Sequence, residues 1–505
     1  MDHANPETYR FDDYLEALGE NWFGEDPLLC RWLDRSRPDD EALALVTEFG
    51  EAVATRFREF SDFVERPGNL PYLQEKDPYN RRNSEVILPA ETWGMLGEVH
   101  GSGIWKAAMD ERVRYAVVYL INQNGESGIN CSVACTDGLT RALRALGGDG
   151  RSGSVLELFE AATPDSWIHG AQFVTEIQGG SDAATNALRA EPAGDGLYAL
   201  RGQKWFCSNI TADYWLVTAR VPGAAADHRG VSLFCVPQIW DDAPNGFEIQ
   251  RLKDKLGTRA LPTAEVDFGG SLGWPVGPLD AGLKNMIAVV LTASRIHCTH
   301  QAAAAGRRAA REARAYAGFR QAFGLPLAEH PLIADSVRRL EANADRVEAG
   351  AFATVDAWAA AMAKPEDEAQ RLWSRVLISL AKAVSTRSVS AHIYEAMMLF
   401  GGNGVEERFS ALPRLWRDAA IMESWEGPYT LLVMQALGDM ARYGVAGRED
   451  AFLLFGLGEY ASTEDAKELA AILKAPDADE NALRWAELAP RLHRLFEEKA
   501  LAELR

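Results

Sequence analysis

The segment LWRDAAIMESWEGP, Leu415 to Pro428, carries two glutamates three residues apart, and the second, Glu426, stands between Trp425 and Gly427. A carboxylate removes a carbon-bound proton near neutral pH only when it is partly desolvated, and an adjacent indole is one means of screening it. The same pairing also occurs at ordinary helix ends. FVTEIQGGSD, Phe173 to Asp182, ends in Gly179, Gly180 and Ser181. There the backbone can approach a ligand closely, or simply turn. KWFCSN, Lys204 to Asn209, sets an aromatic next to a hydroxyl at a strand end, a pattern that also serves core packing. RQAFG, Arg320 to Gly324, places a guanidinium fork at a helix end, suited to phosphate and equally to the surface. LFGGNG, Leu399 to Gly404, closes an apolar run with two glycines, as a helix C-cap does.

Other spacings carry less. His297 and His300 flank Cys298, but no third ligand lies within sequence reach, so no metal site is expected. Cys131 and Cys135, one helical turn apart, read as buried small residues. Gly456 and Gly458 are a lone glycine pair, not a nucleotide loop.

These residues need elements to position them. Residues 1–165 read as helical, with amphipathic runs at Glu41–Phe63 and Arg112–Leu146, and Pro67, Pro71 and Pro78 marking a loop between helices. From about 168 the runs HGAQFVTEI, LYALRGQKWFCSN, DYWLVTARV, GVSLFCVPQ and TAEVDF are short, aromatic and β-branched, with turn signals between them. They predict a small antiparallel β-domain with no βαβ alternation, hence no Rossmann domain. Helical periodicity returns near 280. Leu340, Ala344, Val347 and Ala351 form one apolar stripe, Glu366–Leu399 is a second long helix, and Gly282 to Tyr316 a third. The expected fold is α+β and mostly α: an N-terminal helical domain (1–165), a β-domain (166–278), a helical bundle (279–444) and a helical tail (445–505).

Hydrophobic content of 47% and charged content of 25% over 505 residues are those of a globular protein of several packing units. The formal net charge of −21 argues against non-specific nucleic-acid binding. The tail, with eight Lys/Arg against thirteen Asp/Glu, is acidic too. Six cysteines without CxxC spacing predict free thiols in a reducing compartment. The stretch MDHANPETYRFDDYLEALGE is acidic and has no apolar core, so it is not read as a signal peptide. No run is apolar enough to cross a membrane, and a cytoplasmic location is expected.

The five motifs occur in the order found in acyl-CoA dehydrogenases, a superfamily that the chain resembles over about residues 75–440. QGGSD, QKWF and RLKDKLGTR resemble most the branch containing the bacterial alkylation-response flavoprotein. The resemblance implies a helical domain, a β-domain and a four-helix bundle with FAD at their junction. It also implies a homotetramer, or a homodimer, in which one subunit contributes to its neighbour's flavin site. Phe173, Val174, Thr175 and Gly180 fall on the flavin-binding stretch, with Val174 and Thr175 at the pyrimidine edge. Ser181 matches the residue touching the flavin phosphate side or the CoA. Phe206 takes the place of the flavin-stacking Trp and Ser208 that of the hydroxyl near flavin N5, leaving Trp205 to fill the core. Arg320 resembles the arginine on the adjacent subunit's FAD pyrophosphate, with Phe323 in the same motif. Phe400, Gly401 and Gly402 match the turn that lies against the neighbour's adenosine.

Arg417, Asp418, Glu426 and Gly427 match the family pattern RDxxxxxIYEG, with Trp425 in place of the Tyr, which makes Glu426 the implied base and Glu423 a bystander. Trp425, Gly427 and Arg295 fall on the substrate side, and Pro428 and Thr430 on the flavin side just beyond the base. Some members carry the base one position before an Arg on another helix, where this chain has Ser294. The chain departs from the pattern at Ile177 and Gln178 within TEPxxGSD, at Pro331 in place of a Gln, and at Pro428. The implied activity is α,β-dehydrogenation of an acyl-CoA thioester. It needs a base for the α-proton, an acceptor for the β-hydride and donors for the enolate-like oxygen. Electrons would pass to an electron-transferring flavoprotein. Two alternatives share the fold: a nucleic-acid-associated flavoprotein, and an oxidase using O2 on an acyl-CoA or a nitroalkane.

Overall fold

The computed structural model describes residues 10–475 and 478–505. The first nine residues of the acidic N-terminal run, and Pro476 and Asp477 of the connector between the tail helices, lie outside the described residues. The chain divides into two compact units, one containing the segments up to Asp62, Glu111–Gly125 and Cys298–Arg505, the other Phe63–Asp110 and Glu126–His297.

The second unit is built on a seven-stranded sheet. Naming strands by first residue, its order is Gly170, Tyr214, Ser232, Thr263, Leu197, Arg189, with Phe247–Leu252 also paired to Thr263–Pro275. Pairing is antiparallel except where Gly170–Phe173 runs parallel to Tyr214–Ala219. Ser232–Pro237 is buried at every position, as its unbroken apolar run requires. Trp215 anchors the core, its ring centroid 5.2 Å from Phe173 and 4.8 Å from Phe247. Strands Arg189–Gly194 and Phe247–Leu252 escape the sequence pattern because charged residues interrupt their alternation. The expected loop around Pro67–Pro78 is corrected in part. Tyr72–Lys76 pairs with Arg82–Ile87 as a hairpin whose exposed faces hide its periodicity. Helix Gly128–Leu146 starts where the buried Glu126 carboxylate accepts from the backbone N–H groups of Gly128 and Ile129. This cap separates it from Glu111–Ile121, so the expected single run over Arg112–Leu146 is two helices.

In the other unit, helices Pro331–Ala363, Glu368–Leu399 and Tyr429–Arg442 accompany the long helix that ends at Phe319. Leu340, Ala344, Val347 and Ala351 are all buried, as their spacing predicts. The run Glu41–Phe63 is broken at Thr55 into Asp40–Ala54 and Arg56–Val64. The tail folds as Glu449–Leu457, Thr463–Lys474 and Ala478–Leu504 and belongs to this core. Trp485 is fully buried and donates its indole N–H to the Val433 carbonyl at 2.7 Å. Gly456 lies against the Trp373 ring, where a Cβ would fall 2.2 Å from the nearest ring atom. Among the described residues no helix is long and apolar enough to cross a membrane.

Within this unit His392 is buried with a fixed tautomer. Its Nε2–H donates to the Gly306 carbonyl at 2.9 Å, and Nδ1 accepts from Asn343 Nδ2 at 3.0 Å. Burial, reinforced by Arg307 and Arg346 and opposed by the Gly306 carbonyl, pushes its pKa from 6.5 down to about 4. The folded form therefore binds the proton more weakly than the unfolded chain. Its contribution to stability is full above pH 6.5 and is lost as pH falls towards 4. Replacing it, as in His392→Gln, should flatten the fall of unfolding free energy between pH 6.5 and 4.5 by up to about 1.4 kcal/mol per pH unit. Denaturant unfolding across that range measures it, and an unchanged slope contradicts the assignment.

Candidate active site

In the sheet unit a buried ion pair fixes the stretch that carries Val174 and Thr175. Lys204 is fully buried; its ammonium donates to Glu176 Oε1 at 2.7 Å, Thr218 Oγ1 at 3.0 Å and the Val174 carbonyl at 3.1 Å. Glu176 in turn accepts from the backbone N–H groups of Ala187 at 2.6 Å and Leu188 at 3.2 Å. Burial pulls Lys204 down to about 8 while Glu176 opposes it. For Glu176 burial is the largest influence and raises its pKa, but Lys204 and the N–H donors outweigh it, leaving the carboxyl lowered. Both are charged at neutral pH. After Glu176 the chain turns tightly over Ile177 and Gln178, with Glu176 and Gly179 exchanging backbone hydrogen bonds. Gly180 then comes back over Thr175, where a Cβ would lie 3.1 Å from the Thr175 hydroxyl. Ser181 is exposed, and the Phe173 side chain is buried in the sheet core.

Strand Leu197–Ser208 bulges beside this turn. Lys204 pairs with Val266 and Cys207 with Ala264, so Trp205 and Phe206 together face the single residue Glu265. A bulge of this kind re-aims side chains. Phe206 is left 49% exposed, with Lys253 Nζ 4.5 Å from its ring centroid, while Lys204 and Cys207 point into the core. Trp205 does not fill the core, contrary to expectation: it is half-buried, with Lys253 Nζ 3.6 Å from its ring centroid, and its backbone N–H donates to the Thr175 carbonyl at 2.9 Å. The half-buried Ser208 hydroxyl is 3.1 Å from Thr263 Oγ1. Thr175, Gly180, Phe206 and Ser208 are thus linked through two neighbouring strand ends. Ser294, the position of the alternative base, is a buried hydroxyl that accepts from Gln172 at 3.2 Å. Arg295 beside it is buried, just after the π-helical turn Met286–Leu291.

In the helical unit, helix Leu412–Ser424 ends at Trp425 and helix Tyr429–Arg442 begins after Pro428. Between them Glu426 takes φ +55° and Gly427 φ +102°. A non-glycine residue in this region costs about 1–2 kcal/mol, and such outliers gather at functional sites. Pro428, at φ −67°, is already set for the helix that follows. Trp425, Glu426, Gly427 and Pro428 are half-buried and Thr430 is exposed. Glu423 remains on the preceding helix.

Tyr316, which sequence reasoning passed over, joins the remaining two motifs. Its ring stacks on Phe400 with centroids 4.0 Å apart, its hydroxyl accepts from Asn403 Nδ2 at 3.1 Å, and its carbonyl accepts from the Arg320 backbone N–H at 2.8 Å. The Phe400 side chain is therefore core, leaving its backbone and the open Gly401 and Gly402, whose Cβ positions meet nothing within 4 Å. Arg320 leads into a two-residue hairpin turn at Phe323 and Gly324, with φ +52° and +87°. Phe323 is 99% exposed at its tip.

Models of two acyl-CoA dehydrogenase domains match this chain, the middle domain over residues 171–270 and the C-terminal domain over 280–437, together just over half of its length. Acyl-CoA dehydrogenase family member 11 of Caenorhabditis elegans is 28% identical over 92% of this chain and 77% of its own length. AidB of Escherichia coli K12 is 35% identical over 52% of this chain and 47% of its own. Among solved structures, the apo-form of Bd2924 aligns with a TM-score of 0.88 at 29% identity, covering 96% of this chain and 98% of that one. C. elegans ACDH-11 in complex with C11-CoA aligns at 0.84 and 23% identity, covering 99% and 90%, and supports the fold. The chain belongs to the acyl-CoA dehydrogenase family of FAD-dependent oxidoreductases.

Proposed function

We propose that this protein oxidises the Cα–Cβ bond of an acyl-CoA thioester and that Glu426 removes the α-proton. The observation that carries this reading is the backbone of Glu426, a carboxylate-bearing residue held at φ +55° between two helices beside a half-buried indole. The residues present fit FAD. On the sheet unit the exposed Phe206 ring, the Ser208 hydroxyl and the Thr175–Gly180 turn suit a planar ring with polar edges. On the helical unit the Arg320 fork and the open Gly401–Gly402 backbone suit a pyrophosphate and adenosine. FAD, when bound, supplies the acceptor for the β-hydride. Glu426 takes the α-proton onto its carboxylate as the Cα–H bond breaks and the Cα–Cβ double bond forms. Trp425 screens that carboxylate from water. Ser294, a hydroxyl already bonded to Gln172, offers no competing base.

The nucleic-acid reading is not favoured, because phosphate contacts need clustered cations and the tail carries eight Lys/Arg against thirteen Asp/Glu. The test of the proposal is anaerobic titration of the yellow holoprotein with acyl-CoAs of graded chain length and branching. At least one should bleach the flavin and yield the enoyl-CoA. Reoxidation by an electron-transferring flavoprotein, slow in O2 alone, fits a dehydrogenase; rapid reoxidation by O2 fits the oxidase alternative. No bleaching by any member overturns the proposal.

We also propose that the protein is a homotetramer or homodimer in which Arg320 and the Gly401–Gly402 turn serve a neighbour's FAD. The support is the exposure of Phe323 at 99%, Leu332 at 85% and Val405 at 62%, apolar residues in the same segments as those motifs. Sedimentation should give a tetramer or dimer for the wild type, and Phe323→Asp should yield smaller species that lose FAD on gel filtration. A wild-type monomer that keeps one FAD per chain contradicts this.

A further inference from the structure

Lys382 lies in the apolar run ISLAKAVS on helix Glu368–Leu399 and is fully buried. Its ammonium donates to the main-chain carbonyls of Glu423 at 3.0 Å and Gly427 at 2.7 Å. These carbonyls bracket Glu426. The Glu423 carbonyl belongs to the last turn of helix Leu412–Ser424, where carbonyls lack helical partners and a cation is favourable. The Gly427 carbonyl lies at the far side of the left-handed corner, two residues before the next helix begins. One buried cation therefore ties together the two ends of a five-residue segment that contains the left-handed Glu426. Burying an ammonium is costly where packing alone is needed, and an apolar side chain would fill this position more cheaply.

We infer that Lys382 is a positioning residue for the dehydrogenation: by holding the Glu423 and Gly427 carbonyls it keeps Glu426 in its left-handed conformation and its carboxylate on the α-proton. The inference rests on the reading of Glu426 as the base. Lys382 touches neither substrate nor cofactor in this account; it acts through the backbone of Glu426. Its loss should therefore slow the chemical step and leave binding intact.

The test is Lys382→Met, which keeps the length of the side chain and removes the donor. At saturating acyl-CoA the anaerobic rate of flavin reduction should fall roughly 10- to 100-fold, the scale expected for misplacing a reacting group by about 1 Å. FAD content and the Kd for the acyl-CoA should stay near wild type. In a Glu426→Gln background the same change should slow reduction no further, because both act through one carboxylate. A wild-type rate for Lys382→Met overturns the inference, as does an equal further loss in the Glu426→Gln background, which marks a general structural effect. A wild-type rate for Glu426→Gln alone overturns the reading of the base and this inference with it. Should Lys382→Met not fold, Gly427→Ala disturbs the same corner from its other end, since Gly427 is at φ +102° and a Cβ would meet Leu432 at 3.1 Å. At saturating acyl-CoA it must show a comparable loss of rate, absent in the Glu426→Gln background, or the inference fails.

Discussion

A carboxylate that takes a proton from carbon has to be held still, and this chain holds Glu426 on backbone that an L-residue avoids. The corner at Glu426–Gly427 can persist only if its surroundings over-determine it. Pro428 pre-sets the following helix, Gly427 removes the side chain that would meet Leu432, and Lys382 ties down both flanking carbonyls. Tyr429, the first residue of that helix, lies under Arg387, whose guanidinium is 4.2 Å from the ring centroid, and donates its hydroxyl to the Ala486 carbonyl at 3.3 Å. Ala486 is on the last helix of the tail, next to the buried Trp485. The acidic tail thus buttresses the helix that starts three residues after the candidate base.

The sheet unit uses the same device with a different balance. Lys204 also reaches a main-chain carbonyl, that of Val174, but it has a buried carboxylate partner in Glu176. A buried pair of this kind adds little net stability over an apolar pair, yet losing one partner strands a charge. Its structural effect is to hold the strand end of Val174 and Thr175 against the turn at Gly180, while the bulge at Trp205 and Phe206 sends an aromatic ring outward.

Elements with a strong period were legible in the sequence. The stripe Leu340, Ala344, Val347, Ala351 and the buried strand Ser232–Pro237 needed only spacing and residue type. Edge and hairpin strands were not, because Arg189–Gly194 and Tyr72–Lys76 carry charges where alternation would show. Trp205 was misjudged because a bulge shifts the inward and outward alternation by one residue, and nothing in KWFCSN announces a bulge. Residue chemistry alone left Glu423 and Glu426 as competitors; order within a family pattern separated them, and the left-handed corner adds a physical distinction. Lys382 had no signal of its own beyond a charge in an apolar run, since its partners lie 41 and 45 residues away in sequence.

The measurement that bears most directly on the role of Glu426 is anaerobic stopped-flow reduction of the flavin by a good acyl-CoA, comparing Glu426→Gln with Glu423→Gln. Each change removes one negative charge from the same short segment and keeps the shape of the side chain. Glu423 offers its main-chain carbonyl, not its carboxylate, to Lys382, so Glu423→Gln leaves that contact in place. Glu426→Gln should keep its FAD and its affinity for acyl-CoA and slow by at least about 10²-fold, the lower range of general-base contributions. Glu423→Gln should reduce its flavin at nearly the wild-type rate. A wild-type rate for Glu426→Gln would contradict the account and send the search for the base elsewhere in the chain.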